Sequence, residues 1–166
     1  MLISVVTAAF QSAATIGETL RSVDEQDHEG VEHVVVDSAS TDGTADLARA
    51  FPRAVVVSEP DAGLYDGMNK GLGLARGDAV GFLASDDRLA SPHVLSRVAE
   101  AFDAGADAVY GNLVFVSHRQ PDVVVRRWRS GPFSPAALRW GWMPPHPTLY
   151  LRRSVFDRIG GFKAGW

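Results

Sequence analysis

Three short apolar runs in this chain each lead into a carboxylate: residues 34–36 run into Asp37, residues 55–57 lead through Ser58, Glu59 and Pro60 to Asp61, and residues 79–84 run through Ser85 into the pair Asp86 and Asp87. Runs this short, rich in valine and separated by helix-length amphipathic stretches, describe strands of a mostly parallel sheet covered by helices. Ligands bind such a sheet at the C-terminal ends of its strands, so three strands delivering carboxylates there mark a site. Two adjacent carboxylates closing a buried strand are costly without a positive partner, and the simplest partner is a divalent cation carrying a phosphate. Taken singly, Asp37 or Asp61 reads equally well as a cap or turn residue.

The periodicity predicts strands at residues 2–8, 33–36, 54–58, 79–83 and 108–110. Helices are predicted after the first strand (Ile16, Leu20 and Val23 inward, Ser12 or Thr15 as cap), after Ser40-Thr41-Asp42-Gly43-Thr44, at 64–75, and from Ser91-Pro92 to residue 104. Residues 113–117 and 123–129 read as an antiparallel pair, 131–147 as a loop with a helical turn at 135–139, 148–151 as a last strand and 154–159 as a last helix. At 166 residues the chain is expected to be one domain with one core. It stops in apparently folded sequence at residues 162–166 with no cap or polar tail, which reads as a truncation.

Charge and composition narrow the function. A net charge of −4 argues against a nucleic-acid partner, which needs a basic face. No cysteine is present, which excludes disulfides, thiolate metal sites and thiol nucleophiles, and the five histidines show no metal-ligand spacing. Residues 1–6 read as a first strand and not as a signal peptide, and no apolar stretch approaches the ~20 residues of a spanning helix. A cytoplasmic location is expected, with peripheral contact at the inner face of a membrane left open.

Four segments in register carry a resemblance: Val5-Val6-Thr7; Val35-Val36-Asp37-Ser38-Ala39-Ser40-Thr41-Asp42-Gly43-Thr44; Glu59-Pro60-Asp61-Ala62-Gly63-Leu64-Tyr65-Asp66-Gly67-Met68-Asn69-Lys70-Gly71; and Ala84-Ser85-Asp86-Asp87. In order and spacing they resemble the bacterial, inverting family 2 glycosyltransferases of the GT-A fold. His146-Pro147-Thr148, Arg152-Arg153 and Gly160-Gly161-Phe162 are similar to the segment before that family's acceptor-side acidic motif. The resemblance implies an α/β fold, a Rossmann-like three-layer α/β/α sandwich whose mostly parallel central sheet has a small antiparallel extension. It divides the domain into a donor-binding part, 1–112, and the beginning of an acceptor-side part, 113–166. Ala8 stands where members often have proline, and Ser85 where asparagine is usual.

The same resemblance implies the activity and the residues. A sugar would pass from a nucleotide-diphosphate sugar, UDP favoured over GDP, to a polysaccharide or glycolipid acceptor, carbohydrate or lipid-linked, with Mn²⁺ or Mg²⁺ as cofactor. Asp87 would be the metal ligand and Asp86, preceded by Ser85, would contact the ribose or assist coordination. Asp37 would accept from the uracil imide, Asp61 would line the base or ribose region, and Thr7, Ala8 and Phe10 would wall the base, Phe10 reading equally as core. Ser40 belongs to an amide-rich helix start suited to an anion. Gly63, Asp66, Asn69 and Lys70 form a turn into a helix near the donor, and Arg76 fits a phosphate contact or a plain surface position. Trp142 and His146 stand where the acceptor side begins, and Trp140 and Trp142 fit either stacking on a sugar or lipid-linked acceptor or filling the core beneath the loop. No catalytic residue is assignable, because the acceptor base of such enzymes is expected beyond Trp166. Two other readings are a nucleotidyltransferase of related fold, against which residues 7–16 contain no lysine or arginine to hold a triphosphate, and a non-catalytic nucleotide-sugar binding fragment.

Overall fold

Alternation of β-branched runs with amphipathic segments produces the expected order of elements. A computed structural model describes residues 1–117, 120 and 123–163; residues 164–166, part of the ending read above as a truncation, lie outside them. The elements are β1 (Ile3–Ala9), α1 (Ile16–Asp24), β2 (Val31–Asp37), α2 (Thr44–Arg49), β3 (Ala54–Ser58), α3 (Leu64–Leu74), β4 (Ala79–Phe82), α4 (Val94–Asp103), β5 (Ala108–Val109), β6 (Leu113–Val116), β7 (Val124–Trp128), α5 (Pro135–Leu138), a 3₁₀ turn (His146–Thr148), β8 (Tyr150–Arg152) and α6 (Arg153–Ile159).

The main sheet has the order β3-β2-β1-β4-β8-β5, and β6 pairs with β7 in a separate ribbon. β1 to β4 are mutually parallel, whereas β8 enters antiparallel between β4 and β5. Because β5 is antiparallel to β8 in turn, its C-terminal end lies on the same edge as those of β1 to β4.

Strand alternation sends successive side chains of β1 to opposite faces. Ile3 and Val5 pack with Val23, Leu95, Val98, Phe102 and Tyr150, while Val6 packs with Val34, Val36, Met68 and Phe82 on the face that α3 and Phe156 cover. Ile16, Leu20, Val35 and Ala48 complete the first face beneath α1 and α2. Each fully buried side chain of this size contributes about 1.5–3 kcal/mol. At Gly71 an added Cβ would collide with Val6, so this glycine lets α3 sit close on β1; at Gly73 the same atom meets open space.

Several boundaries shift by one or two residues, and one of these shifts has a visible cause. α4 begins at Val94, not at Pro92. The buried Gln26 side chain accepts from the Leu95 N–H at 3.0 Å and donates to the Ser91 carbonyl at 2.8 Å. The cap therefore comes from the end of α1 through space, and Ser91-Pro92 are left in the preceding turn.

His33 is buried in β2 with Thr7 Oγ1 2.9 Å from its Nε2. Burial pushes its pKa from 6.5 down to about 4. In the window between those values the unfolded chain binds the proton and the folded chain does not, so the native state is fully favoured above about pH 6.5 and loses stability as pH falls. At roughly 1.4 kcal/mol per pH unit the loss approaches about 3 kcal/mol near pH 4. Urea midpoints across this range should show that decline, and His33→Gln should flatten it; a wild-type midpoint constant down to pH 4 would refute the assignment.

Candidate functional site

β1, β2, β3 and β4 bring their C-terminal ends to one edge, and the loops leaving them are tied together by short polar side chains. The Gln11 N–H donates to Ser40 Oγ at 2.8 Å, and Gln11 Nε2 to Thr41 Oγ1 at 3.1 Å. The Ser12 N–H donates to Thr44 Oγ1 at 2.9 Å, and the Ala13 N–H to Asp42 at 2.9 Å. Ser12 Oγ meets Ser85 Oγ at 2.9 Å, which links the loop after β1 to the acidic pair. The Thr44 hydroxyl first, then the Ala13 N–H, hold the Asp42 carboxyl below its usual range. Gln11 and Ala39 adopt left-handed backbone, φ 50° and 49°, a strain that non-glycine residues carry only where surroundings enforce it.

Asp86 and Asp87 follow β4 in a tight turn closed by the Asp87 N–H on the Ala84 carbonyl at 3.1 Å. Thr19 of α1 supports this turn from below, its hydroxyl donating to the Asp87 carbonyl at 2.7 Å. Asp86 is exposed and Asp87 half-buried. Burial, and secondarily the like charge of Asp86, push the Asp87 carboxyl above its ordinary range. Both causes disfavour the anion, and a bound cation would relieve both. Among the described residues no group of three histidine, cysteine, aspartate or glutamate side chains converges. Two carboxylates, with the remaining positions left to phosphate oxygens and water, suit Mg²⁺ or Mn²⁺ rather than a softer metal.

Along the same edge a pocket of about 320 Å³ is lined by Ala8, Ala9, Phe10, Ser38, Asp61, Gly63 and Leu64. Phe10 is 63% exposed, which settles it as a pocket wall and not core. Asp61 Oδ1 accepts from the Ser38 hydroxyl at 2.8 Å and from the Gly63 N–H at 2.9 Å. Its Oδ2 accepts no hydrogen bond among the described residues. Gly63, at φ 113°, makes the sharp entry into α3 that turns this amide toward the carboxylate.

Several expected positions are corrected. Asp37 is fully buried: Oδ2 accepts from the Ser40 N–H at 3.0 Å and the Ser58 hydroxyl at 2.6 Å, and Oδ1 has no partner among the described residues. It stands beneath the pocket, organising the loop, and offers no accessible oxygen to a base. Thr7 is likewise buried, on His33, and does not wall the pocket. Arg76 lies at the opposite edge, before β4, where its N–H and that of Gly77 donate to Glu32. Asn69 is engaged at both ends, donating to the Phe162 carbonyl at 2.8 Å and accepting from the Phe162 N–H at 2.7 Å. Lys70 is bound to Glu59 at 2.9 Å and to the Pro60 carbonyl at 2.9 Å, and Asp66 accepts from the Ala62 N–H at 3.0 Å. These two brace the turn around Asp61 instead of reaching into the pocket.

On the acceptor side Trp142 is a strut. Its indole N–H donates to the Ser130 carbonyl at 3.0 Å, and its ring packs edge-on to Tyr110 and Phe133. His146 presents one edge to solvent and lays its ring against Phe82 and Phe162, and this packing pushes its pKa below the ordinary value. Sequence reasoning missed the Ser38 hydroxyl, Ala9, Leu64 and Thr19 as parts of the site. Strand alternation offered a signal for the first: if Asp37 points into the core, its neighbour Ser38 points out of it.

A family model described as glycosyl transferase family 2 matches residues 4–165. The PGL/p-HBAD biosynthesis glycosyltransferase of Mycobacterium tuberculosis is 32% identical over 168 residues, covering 97% of this chain and 63% of the relative. The solved structure of S. aureus TarS 1-349 in complex with UDP-GlcNAc is similar with a TM-score of 0.77 at 23% identity, over 98% of this chain and 49% of that one. The mannosyltransferase PcManGT from Pyrobaculum calidifontis, in complex with GDP-Man and Mn²⁺, is similar with a TM-score of 0.72 at 24% identity, over 97% and 47%. The chain thus spans less than two thirds of this curated relative and about half of each of these solved chains.

Proposed function

The chain belongs to glycosyl transferase family 2 and has the GT-A fold, and from that premise we propose that it binds a nucleotide-diphosphate sugar, UDP-linked in preference to GDP-linked, for transfer of the sugar to a carbohydrate or lipid-linked acceptor. The observation that carries this reading is the sharing of one sheet edge by the Asp61 pocket and the Asp86/Asp87 pair. The first suits a nucleobase and the second its diphosphate. Relatives that match with nucleotide-sugar ligands support the choice of substrate class.

In this proposal Phe10 and Leu64 flank the base, and Asp61 Oδ2 accepts a hydrogen bond from the imide N–H of uracil. Ser38 and Gly63 hold Asp61 in orientation by occupying its other oxygen. Asp87 would hold Mn²⁺ or Mg²⁺, with Asp86 assisting or taking the ribose. That cation, when bound, supplies neutralisation of the departing diphosphate. The Thr19 and Ser12 contacts keep Asp87 and Ser85 in place at the strand end. The proton of the attacking acceptor hydroxyl would go to a carboxylate beyond Trp166. A nucleotidyltransferase is disfavoured by the absence of lysine or arginine from residues 7–16. The proposed setting is the cytoplasmic side of the cell; no described helix is long and apolar enough to cross a membrane.

Thermal melts with UDP and with GDP, each with and without Mn²⁺, test the donor reading. Ligand at ~100 times its dissociation constant stabilises by about 2.7 kcal/mol, which at roughly 2–4 °C per kcal/mol is a shift of several degrees. UDP with Mn²⁺ should give that shift in the wild type and little of it in Asp61→Ala. A larger response to GDP would reverse the base assignment, and no response to either nucleotide would overturn the donor site.

A further inference from the structure

We propose that the surface formed by the β6–β7 ribbon and the segment after it docks the protein on an anionic lipid bilayer. Among the described residues the ribbon has no sheet neighbour, and a two-stranded ribbon is marginal by itself in water. It nevertheless exposes Val125 on the face that strand alternation shares with Arg127, and the following segment exposes Phe133, Leu138, Met143 and Trp140, the last 90% exposed. An apolar surface of this kind marks an interaction site.

Charge identifies the partner. Residues 113–147 hold five arginines and a single acid, Asp122, in a chain whose net charge is −4. Arg126 is on the ribbon's other face, over the rings of Phe115 and Trp128 at 5.4 and 5.9 Å, and is not part of this surface. Arg127, Arg129 and Arg139 are exposed and make no ion pair among the described residues. Guanidinium groups interspersed with an exposed indole, phenyl and thioether match the interface of a bilayer, where anionic headgroups take the charge and the acyl boundary takes the apolar tips. A soluble polyanion would use the arginines and leave the apolar side chains in water.

The surface is rooted beside the site. Ser130, after β7, donates its N–H to Asn112 Oδ1 at 3.0 Å and its hydroxyl to the Gly111 carbonyl at 2.6 Å, just past the C-terminal end of β5. That end shares the edge of Asp86 and Asp87, so docking would bring the donor site to a membrane-borne acceptor; this last consequence rests on the proposed transferase function.

Co-sedimentation of the chain with vesicles of mixed phosphatidylglycerol and phosphatidylcholine, and with phosphatidylcholine alone, at low and high salt, tests the proposal. Binding is expected to the anionic vesicles, weakened by salt, with a blue shift of tryptophan emission. Each basic residue near an anionic surface is worth about fivefold in partitioning, so reversal of Arg127, Arg129 and Arg139 to glutamate should lower it by about 100-fold or more. Trp140→Ser, which leaves the charges intact, should remove most of the blue shift and weaken binding. Equal binding to both vesicle types, no binding, retention on heparin without vesicle binding, or concentration-dependent self-association that buries Trp140 in place of vesicle binding would each overturn the assignment. The UDP melt on the same variants keeps the two proposals apart: a retained nucleotide shift with no vesicle binding sinks the docking surface alone, and vesicle binding without a nucleotide shift sinks the donor reading alone.

Discussion

Asp87→Asn is expected to remove metal-dependent nucleotide binding and to lower sugar transfer by about 10²–10³-fold, the usual consequence of deleting one group that stabilises charge developing in a transition state. The substitution keeps the shape of the side chain and its turn, whose hydrogen bonds run through the backbone N–H and carbonyl of residue 87 and not through its carboxyl. It removes a half-buried charge that sits beside the charge of Asp86. The apo protein should therefore melt at the same or a higher temperature while the shift produced by UDP and Mn²⁺ disappears. These opposite signs separate loss of a ligand from loss of the fold. Measured melts with and without UDP and Mn²⁺, together with transfer rates in the full-length protein, decide the matter; a variant that transfers sugar at the wild-type rate would show that the acidic pair is structural.

Gly81→Ala is the second large effect, and it acts on the sheet. Gly81 pairs with Tyr150 across β4 and β8, and an added Cβ would collide with the buried Tyr150 ring. Overpacking in such a core costs about 1–3 kcal/mol and occasionally more. Here the upper end is expected, because the ring is held between strands and has no exposed side toward which to turn. Denaturant midpoints should fall accordingly. Gly73→Ala is the natural control: it sits in α3 facing open space and should raise stability by up to about 1 kcal/mol through helix propensity. An unchanged midpoint in Gly81→Ala would mean that β8 does not lie against β4.

The placement of β8 also marks how far a linear reading reaches. The strand expected at residues 148–151 runs Tyr150–Arg152, with Thr148 still in the 3₁₀ turn, and nothing in so short a run tells which neighbours it takes. Insertion between β4 and β5, antiparallel to both, depends on a glycine in β4 that makes room for Tyr150. The cap of α4 teaches the same lesson. Ser91-Pro92 has the local form of a helix start, but the Gln26 side chain, sixty-nine positions before Leu95, accepts the N–H that needed satisfying.

Local chemistry determined the alternation of strands and helices, the strand-end edge, and the Asp86/Asp87 pair as its acidic feature, because β-branched runs, turn residues and adjacent carboxylates act within a few positions of one another. The family's motifs, also linear, determined membership. Only the tertiary structure decided which carboxylate faces the pocket. Asp37 and Asp61 look alike in sequence, yet one is buried under Ser40 and Ser58 and the other is held at the surface by Ser38 and Gly63. The same holds for Asn69, Arg76 and Trp142, whose partners Phe162, Glu32 and Ser130 are brought to them by the packing. A polar side chain takes whatever donor or acceptor the fold sets beside it, and that neighbour is a property of the assembled chain.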